Sequence, residues 1–170
     1  MGKGSKIVLT LCFIHQPPRL LLGFKKRGFG KGRWNGFGGK VQPGESLKAA
    51  TRREVKEEAG LLVGPLEKYG LITFRFKNEP DIFEGHIFRA TTFRGEPAES
   101  EEMKPRWFSL EKIPYSKMWP GDKLWLPLLL SGRRFTGTIL FQNVTKVLRH
   151  HIKIKTKFLA TTNTTRLSIS

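Results

Sequence analysis

Apolar positions alternate with polar ones in several short stretches separated by glycine and proline. Lys6–Ile14 (KIVLTLCFI) reads as a β-strand, and Arg19–Phe24 (RLLLGF) as its hairpin partner across Gln16-Pro17-Pro18. Further strands are predicted at Tyr69–Lys77, Ile82–Phe93, Arg106–Leu110 and Arg134–Phe141. The period changes over Ser46–Ala59. There Leu47, Ala50, Thr51 and Val55 fall at i, i+3, i+4 and i+8, the mostly apolar stripe of a helix. Ser46 follows a Pro43-Gly44 turn and suits the N-cap, and Gly60 suits the left-handed position that ends a helix. Asp122–Leu130 predicts a second, apolar helix containing Trp125, with Pro127 expected in its first turn. Before the first helix lies a glycine-rich segment, Gly28 to Gly44, with Phe29, Trp34 and Phe37 interleaved. Glycines let a backbone approach a ligand closely, and the aromatics offer faces for a base. No internal repeat is visible, and the pattern is mixed α/β.

A chain of 170 residues suits one domain. No apolar run approaches the ~20 residues a membrane-spanning helix needs, so no membrane partner is expected. The start, Met1 to Lys6, is polar, which predicts no signal peptide, and Lys6 spoils the myristoylation pattern that Gly2 would begin. A single cysteine, Cys12, excludes an internal disulfide and fits a reducing compartment. Its apolar surroundings predict a buried, inert thiol.

Charge changes the picture more. The formal net charge is +17, and all 14 acidic residues lie at or before Asp122. From Lys123 onward there are nine Lys or Arg and no acid, so residues 1–122 carry +8 and the remainder +9. Such a balance favours anionic partners: nucleotides, nucleic acid or acidic membrane surfaces. His150–Leu159 is basic and alternating, and Ala160–Ser170, rich in Thr, Ser and Asn, is expected to be disordered.

Glu54, Glu57 and Glu58 lie at i, i+3 and i+4 of the first predicted helix, on one face and one turn apart. Taken alone, they read as a solvated acidic face. Their context reverses that reading. From Gly39 the sequence runs GKVQPGESLKAATRREVKEEAGL. It fits G-x5-E-x7-R-E-U-x-E-E-x-G-U, with U apolar, at Gly39, Glu45, Arg53, Glu54, Val55, Glu57, Glu58, Gly60 and Leu61. The chance of that match is on the order of 10⁻⁹ per start at average residue usage. The chain thus resembles the Nudix hydrolases, whose box is a loop–helix–loop that holds divalent metal against a diphosphate.

The resemblance implies a Nudix fold, an α/β/α sandwich with a curved mixed β-sheet, and a Mg²⁺-dependent hydrolase. Mg²⁺ takes oxygen ligands, usually few from protein and the rest from water and phosphate. It neutralises phosphate charge and acidifies a bound water. By resemblance, Glu54, Glu57 and Glu58 are metal ligands or base, and the Gly38 carbonyl adds a ligand. Glu102, on the Glu101-Glu102-Met103 loop, is an auxiliary ligand or base. Arg53, counted with the catalytic set, and Glu45 are read as holding the loop to the helix.

The likeness extends over about residues 5–142. RLLLGFKKRGFGKGRWNGFGGKVQPGES, AESEEMKPRWF, IPYSKMWPGD, LWLPLLL and RRFTGTILFQ resemble the animal oxidised purine nucleoside triphosphatases, the MutT-homologue branch. That branch hydrolyses 8-oxo-dGTP, 2-hydroxy-dATP and related nucleotides to the monophosphate and pyrophosphate. Carried over, Asn35 hydrogen-bonds the purine edge and Trp119 stacks on the base. Phe29, Phe74 and Phe83 line the pocket, although core aromatics would look the same. Thr10, Lys25, Gly38, Gly39 and Asp122 complete the nucleotide site. His86 reads as structural.

Two departures stand out. Relatives carry two adjacent aspartates after Trp-Pro where this chain has Gly121-Asp122, so one base-reading carboxyl is missing. The family also ends shortly after Gln142, with acidic residues, whereas this chain runs on and is basic. The expected division is a Nudix domain over 1–142 and a divergent basic extension over 143–170, partly disordered and available for nucleic-acid contact. A monomer is expected, acting in the cytoplasm and also in mitochondria or the nucleus. Other readings stay open: a Nudix hydrolase of dinucleotide polyphosphates, ADP-ribose or capped RNA, or a non-catalytic nucleotide- or RNA-binding module.

Overall fold

The computed structural model describes residues 2–156. The expectation for Ala160–Ser170, and the end of the basic run His150–Leu159, lie outside the described residues.

β1 (Lys6–Gln16) and β2 (Arg19–Lys25) form the predicted hairpin, with Gln16 opposite Arg19. The glycine-rich segment contains two short strands that its composition hides, β3 (Trp34–Asn35) and β4 (Phe37–Lys40). α1 (Leu47–Ala59) follows. The Ser46 hydroxyl accepts from the Ala49 amide at 3.0 Å, and Gly60 ends the helix at φ 70°, as their positions predict. Next come β5 (Leu62–Val63), β6 (Glu67–Phe76), β7 (Ile82–Ala90), β8 (Phe93–Arg94) and β9 (Met103–Ser109). α2 (Asp122–Leu130), β10 (Phe135–Asn143) and β11 (Lys146–Ile154) complete the described fold.

The structure corrects three expectations. The strand expected over Ile82–Phe93 is two strands. β7 ends at Ala90, the Thr92 carbonyl accepts from the Gly64 amide at 2.8 Å, and β8 leaves to pair with β5. Pro127 is the sixth residue of α2 rather than part of its first turn. The helix tolerates it there without one backbone donor, in a segment only nine residues long. The boundary drawn after residue 142 falls inside β10, and the basic segment beyond it is β11, paired antiparallel with β10.

Among the described residues one nine-stranded sheet runs β11-β10-β6-β7-β1-β2-β3, with β4 also on β1 and β9 on β2. β1/β7 and β6/β10 are parallel and the other pairs antiparallel, so the sheet is mixed. β1 uses one edge for β7 and divides the other between β4 (Leu9–Cys12) and β2 (Ile14–Gln16). That division opens the sheet at β4, where the box begins.

Alternation along β1 sorts two cores. Phe13 joins Ile72, Ile87, Phe135 and Ile139 under Trp125 and Leu126 of α2. Cys12 and Ile14 join Phe37 and Phe88 under Val55 of α1. The arrangement is an α/β/α sandwich. Burial pushes the Cys12 thiol up to about 12, consistent with an inert core sulfur. His86 is buried, its ring 2.7 Å from the Lys68 ammonium and 2.8 Å from Glu84, a structural contact set.

Candidate active site

The site begins where β4 crosses β1. Thr10 pairs with Gly39 and Leu11 with Gly38. A Cβ on Gly38 would stand 1.8 Å from the Thr10 carbonyl oxygen, and one on Gly39 would stand 2.6 Å from Glu54 Oε1. Only glycine lets this strand lie between β1 and the carboxylates of α1. The Gly38 amide then donates to Glu58 Oε1 at 2.8 Å.

A surface setting for Glu58, as the solvated-face reading supposes, is wrong. Its side chain is buried, and Oε2 has no protein partner. Burial pushes its pKa up to about 8, with the Glu54 and Glu102 charges adding to the shift and the Gly38 amide and Lys25 opposing it. Glu54, partly buried, is also held above the usual carboxylate range, mainly by burial. Glu57 is exposed, and Glu102 is partly exposed with Arg27 at 3.5 Å.

Arg53 organises the loop. Its Nε and Nη2 grip both Glu45 oxygens at 2.7 and 2.9 Å, a bidentate pair. Nη2 also donates to the Lys40 carbonyl at 3.2 Å, and Nη1 reaches Glu54 at 2.8 Å and Glu57 at 3.3 Å. The Arg53 guanidinium, with the Gln42 amide, holds Glu45 below the usual carboxylate range, and the Glu45 and Glu54 carboxylates hold Arg53 high. Arg53 and Glu45 thus tie loop to helix, as the sequence implies.

Among the described residues no three acid, His or Cys side chains are already gathered around one point. Arg53 Nη1 bonds both Glu54 and Glu57 instead. The donor set nevertheless fits a hard divalent cation. It offers several carboxylate oxygens, mutual repulsion that a cation would relieve, and a buried Glu58 oxygen without a partner.

Beyond β4 the opposite face of the sheet holds an apolar cavity of about 170 Å³. Its floor comes from Leu9, Leu11, Ile72, Ile87, Ile139 and Phe141, and its walls from Phe29, Phe74, Trp119 and Trp125. Asn35 and Asp122 supply the polar side chains, and Thr10 borders the cavity from β1. Trp119 lies 5.0 Å from Phe29 and 5.9 Å from Phe141, ring centre to ring centre. Asp122 is buried, and burial pushes its carboxyl up to about 8 against the pull of Arg33. Asn35 Nδ2 donates to the Arg33 carbonyl at 3.3 Å, ordinary turn chemistry that still leaves its side chain on the cavity.

The residues singled out from the sequence divide between two ends. Arg53, Glu54, Glu57, Glu58 and Glu102 gather around Gly38 and Gly39. Phe29, Asn35, Phe74, Trp119 and Asp122 line the cavity with Thr10. Lys25, expected in the nucleotide site, acts on Glu58 at the carboxylate end. One expected lining residue, Phe83, is not on the cavity wall. Phe83 stands behind Phe74, stacked on it at 5.1 Å, because its position on β7 opposes Phe74 across the strand pair.

Sequence reasoning also missed Phe141, Ile139 and Arg33. The first two are inward positions of an alternating strand, indistinguishable there from core. Arg33 Nη1 donates to the Met118 carbonyl at 3.0 Å, and Nη2 donates to the Val144 carbonyl in the β10–β11 turn. Its guanidinium lies over Trp119, 4.7 Å from the ring centre. No sequence signal could have joined positions so far apart.

The chain is 53% identical over 145 residues to the oxidized purine nucleoside triphosphate hydrolase of Danio rerio, covering 85% of this chain and 93% of that protein. It is 49% identical over 144 residues to the protein of the same name from Mus musculus, covering 85% and 92%. The crystal structure of a MutT protein from Bacillus halodurans superposes with a TM-score of 0.78 at 28% identity, covering 86% of this chain and 97% of that one. No helix among the described residues is long and apolar enough to cross a membrane. Residues 7–129 match the NUDIX domain, and the chain belongs to the Nudix family.

Proposed function

We propose that this chain hydrolyses oxidised purine nucleoside triphosphates, 8-oxo-dGTP and 2-hydroxy-dATP among them, to the monophosphate and pyrophosphate. The observation that carries the reading is one continuous path. An aromatic cavity with Asn35 and Asp122 as its polar groups leads along β1 and β4 to the carboxylates of α1. Two relatives of about half identity, covered almost end to end, bear the name of that activity.

At the base end, Trp119 and Phe29 offer ring faces, and Asn35 offers both a donor and an acceptor to a purine edge. Asp122, held neutral at pH 7, supplies a donor where a carboxylate would only accept. Oxidation at C8 or C2 changes which edge atoms donate and accept, and these groups read that change.

At the phosphate end, Glu54, Glu57, Glu58 and Glu102, with the Gly38 carbonyl, would hold Mg²⁺. The ion, when bound, supplies positive charge against the phosphate chain. Arg53 keeps Glu54 and the loop in register through Glu45 and Lys40. Glu58, buried with one oxygen fixed by Gly38, is the group placed to take a proton from an attacking water. Lys25 contributes positive charge beside it. The site uses residues of one chain, so a monomer suffices.

A panel of oxidised and normal nucleoside triphosphates with Mg²⁺, products separated by chromatography, tests the reading. Monophosphate and pyrophosphate from oxidised purines ahead of dGTP and dATP are expected. Preference for ADP-ribose, a dinucleotide polyphosphate or capped RNA would overturn it.

A further inference from the structure

The face of the sheet that carries α1 is only half covered. α1 packs against β1, β4, β5 and β9. Among the described residues no helix lies over the same face of β6, β10 and β11. Three registered rows cross it. Arg75 on β6 pairs with Leu140 on β10, which pairs with Arg149 on β11. The second row is Thr73, Thr138 and His151, and the third Leu71, Thr136 and Lys153. These side chains point away from Phe135, Ile139 and Phe141, the buried positions that alternate with them along β10. Rows one and two border a groove of about 150 Å³.

The face is cationic and its cations are free. Arg75, Arg149 and Lys153 are exposed, and none of the three is in an ion pair among the described residues. β10 and β11 carry no acid. The nearest carboxylate across the sheet, Glu84 on β7, is held by Lys6 at 2.6 Å and by His86 at 2.8 Å. Lys68 and Lys155 extend the positive charge at one end, close enough for Lys155 to depress the Lys68 pKa beyond the effect of burial. Such a surface attracts a polyanion, and threonine hydroxyls between the cations can donate to phosphate oxygens.

We propose that the open face of β6, β10 and β11 binds the phosphate backbone of nucleic acid without regard to sequence. A bilayer fits less well. The three rows hold no exposed apolar side chain to anchor in lipid, and Ile154, which is exposed, stands opposite Phe135 on the other face. Base reading is also absent from the face, because no aromatic lies in the rows. β7 and β1 lie between the face and α1, and the thickness of the sheet separates the face from the base cavity. It explains why the positive charge beyond Asp122 is built into a paired strand.

The test is binding of the full chain to a fluorescently labelled DNA duplex, followed by anisotropy over a salt series from about 50 to about 200 mM KCl. The comparison is with Arg75→Gln/Arg149→Gln/Lys153→Gln. The parent should bind, with log K falling linearly in log salt. The triple variant should lose about 2.7 from that slope, three phosphate contacts at about 0.9 each, and so be about 40-fold less salt-sensitive over this range. Its nucleotide hydrolysis and melting temperature should match the parent. Undiminished duplex binding by the triple variant would overturn the proposal and place the contact elsewhere. So would salt-independent binding, or binding to phosphatidylserine vesicles but not to DNA.

Discussion

Glu58 and Asp122 are the two acids that this fold buries most deeply, and both are pushed up to about 8 by the loss of water. Their neighbours make them different tools. Glu58 stands among carboxylates. Glu54 and Glu102 raise its pKa further, while one backbone amide and Lys25 oppose them. A cation brought to that cluster would reverse the balance and restore its charge. Asp122 stands among Trp119, Trp125, Ile139 and Phe141, with Arg33 its one charged influence. Nothing there recruits a cation, so its proton stays and it acts as a donor. The same desolvation thus yields an acceptor at the phosphate end and a donor at the base end.

The largest effect expected from breaking this contrast is at Glu58. Glu58→Gln keeps the size and one hydrogen-bond acceptor for the Gly38 amide, so melting should change little. Pyrophosphate release should fall by orders of magnitude, while binding of an oxidised nucleotide in the base cavity persists. Chelation with EDTA should produce the same split. Wild-type turnover in either case, measured by pyrophosphate release, would remove the α1 carboxylates from the reaction.

Asp122→Asn comes next, and it is a pH experiment. The Asp122 carboxyl titrates from 3.8 in an ordinary setting and about 8 in the fold, so between those values the fold keeps a proton that the unfolded chain has lost. Stability associated with the neutral form is complete below about pH 4, falls as pH rises through that window, and is gone above about pH 8. The Asn variant cannot ionise, so its melting temperature should gain on the parent steadily from pH 4 to pH 8. Hydrolysis of the oxidised purine should fall in the parent above about pH 8, while the variant lacks that alkaline loss. Loss of one hydrogen bond at the base edge is worth about 10–100-fold in kcat/KM where Asn cannot replace the carboxyl. Parallel melting curves for the two proteins across pH would sink the neutral-Asp122 reading.

The two ends also differ in how far the sequence reveals them. The phosphate end is one contiguous segment, Gly38 to Leu61, whose glycines and carboxylates must keep fixed spacing on a strand, a turn and a helix. It reads directly. Even the burial of Glu58 was available there: Thr51, Val55 and Glu58 fall at i, i+4 and i+7, continuing the apolar stripe of α1. The base end is assembled from β1, β3, β6, β7, β10, α2 and two loops. Its aromatics obey the same alternation as core residues, so pattern alone could not tell Phe141 the wall from Phe135 the core. β11 was hidden because positive charge resembles a solvated tail until its register with β10 is known.

Arg33 tests whether the base end is held together by a residue outside it. It spans the Met118 and Val144 carbonyls and lies over Trp119. Arg33→Met retains length but loses both donors and the charge. A cation–π contact of about 0.5–2 kcal/mol predicts KM raised by roughly 2–30-fold, with kcat nearly unchanged. Tryptophan fluorescence should report a looser Trp119. An equal fall in kcat instead would place Arg33 in the chemistry of the phosphate end.

The smallest expected effect is at Gly121, where the family resemblance implies a second aspartate. Its backbone lies at φ −82° and ψ −17°, ordinary helical values, so conformation does not require glycine here. Space is the constraint. A Cβ would meet Ile139 Cδ1 at 2.9 Å and Phe141 Cζ at 3.3 Å. The Ile139 methyl is the end of a flexible side chain and can give way, whereas the Phe141 ring is pinned by stacking on Phe76 at 5.1 Å. Gly121→Asp therefore adds a carboxyl beside Asp122 at the cost of shifting the cavity floor. Two adjacent carboxyls can share a proton, one donating and one accepting, which would widen the range of oxidised bases accepted. The two effects oppose each other, so the ratio of kcat/KM for 8-oxo-dGTP to that for dGTP should rise by less than about 10-fold, below the full value of one hydrogen bond. Gly121→Asp combined with Ile139→Val, which removes the Cδ1 methyl, should raise it further. If neither variant moves the ratio, position 121 does not read the base, and discrimination rests on Asn35, Trp119 and Asp122.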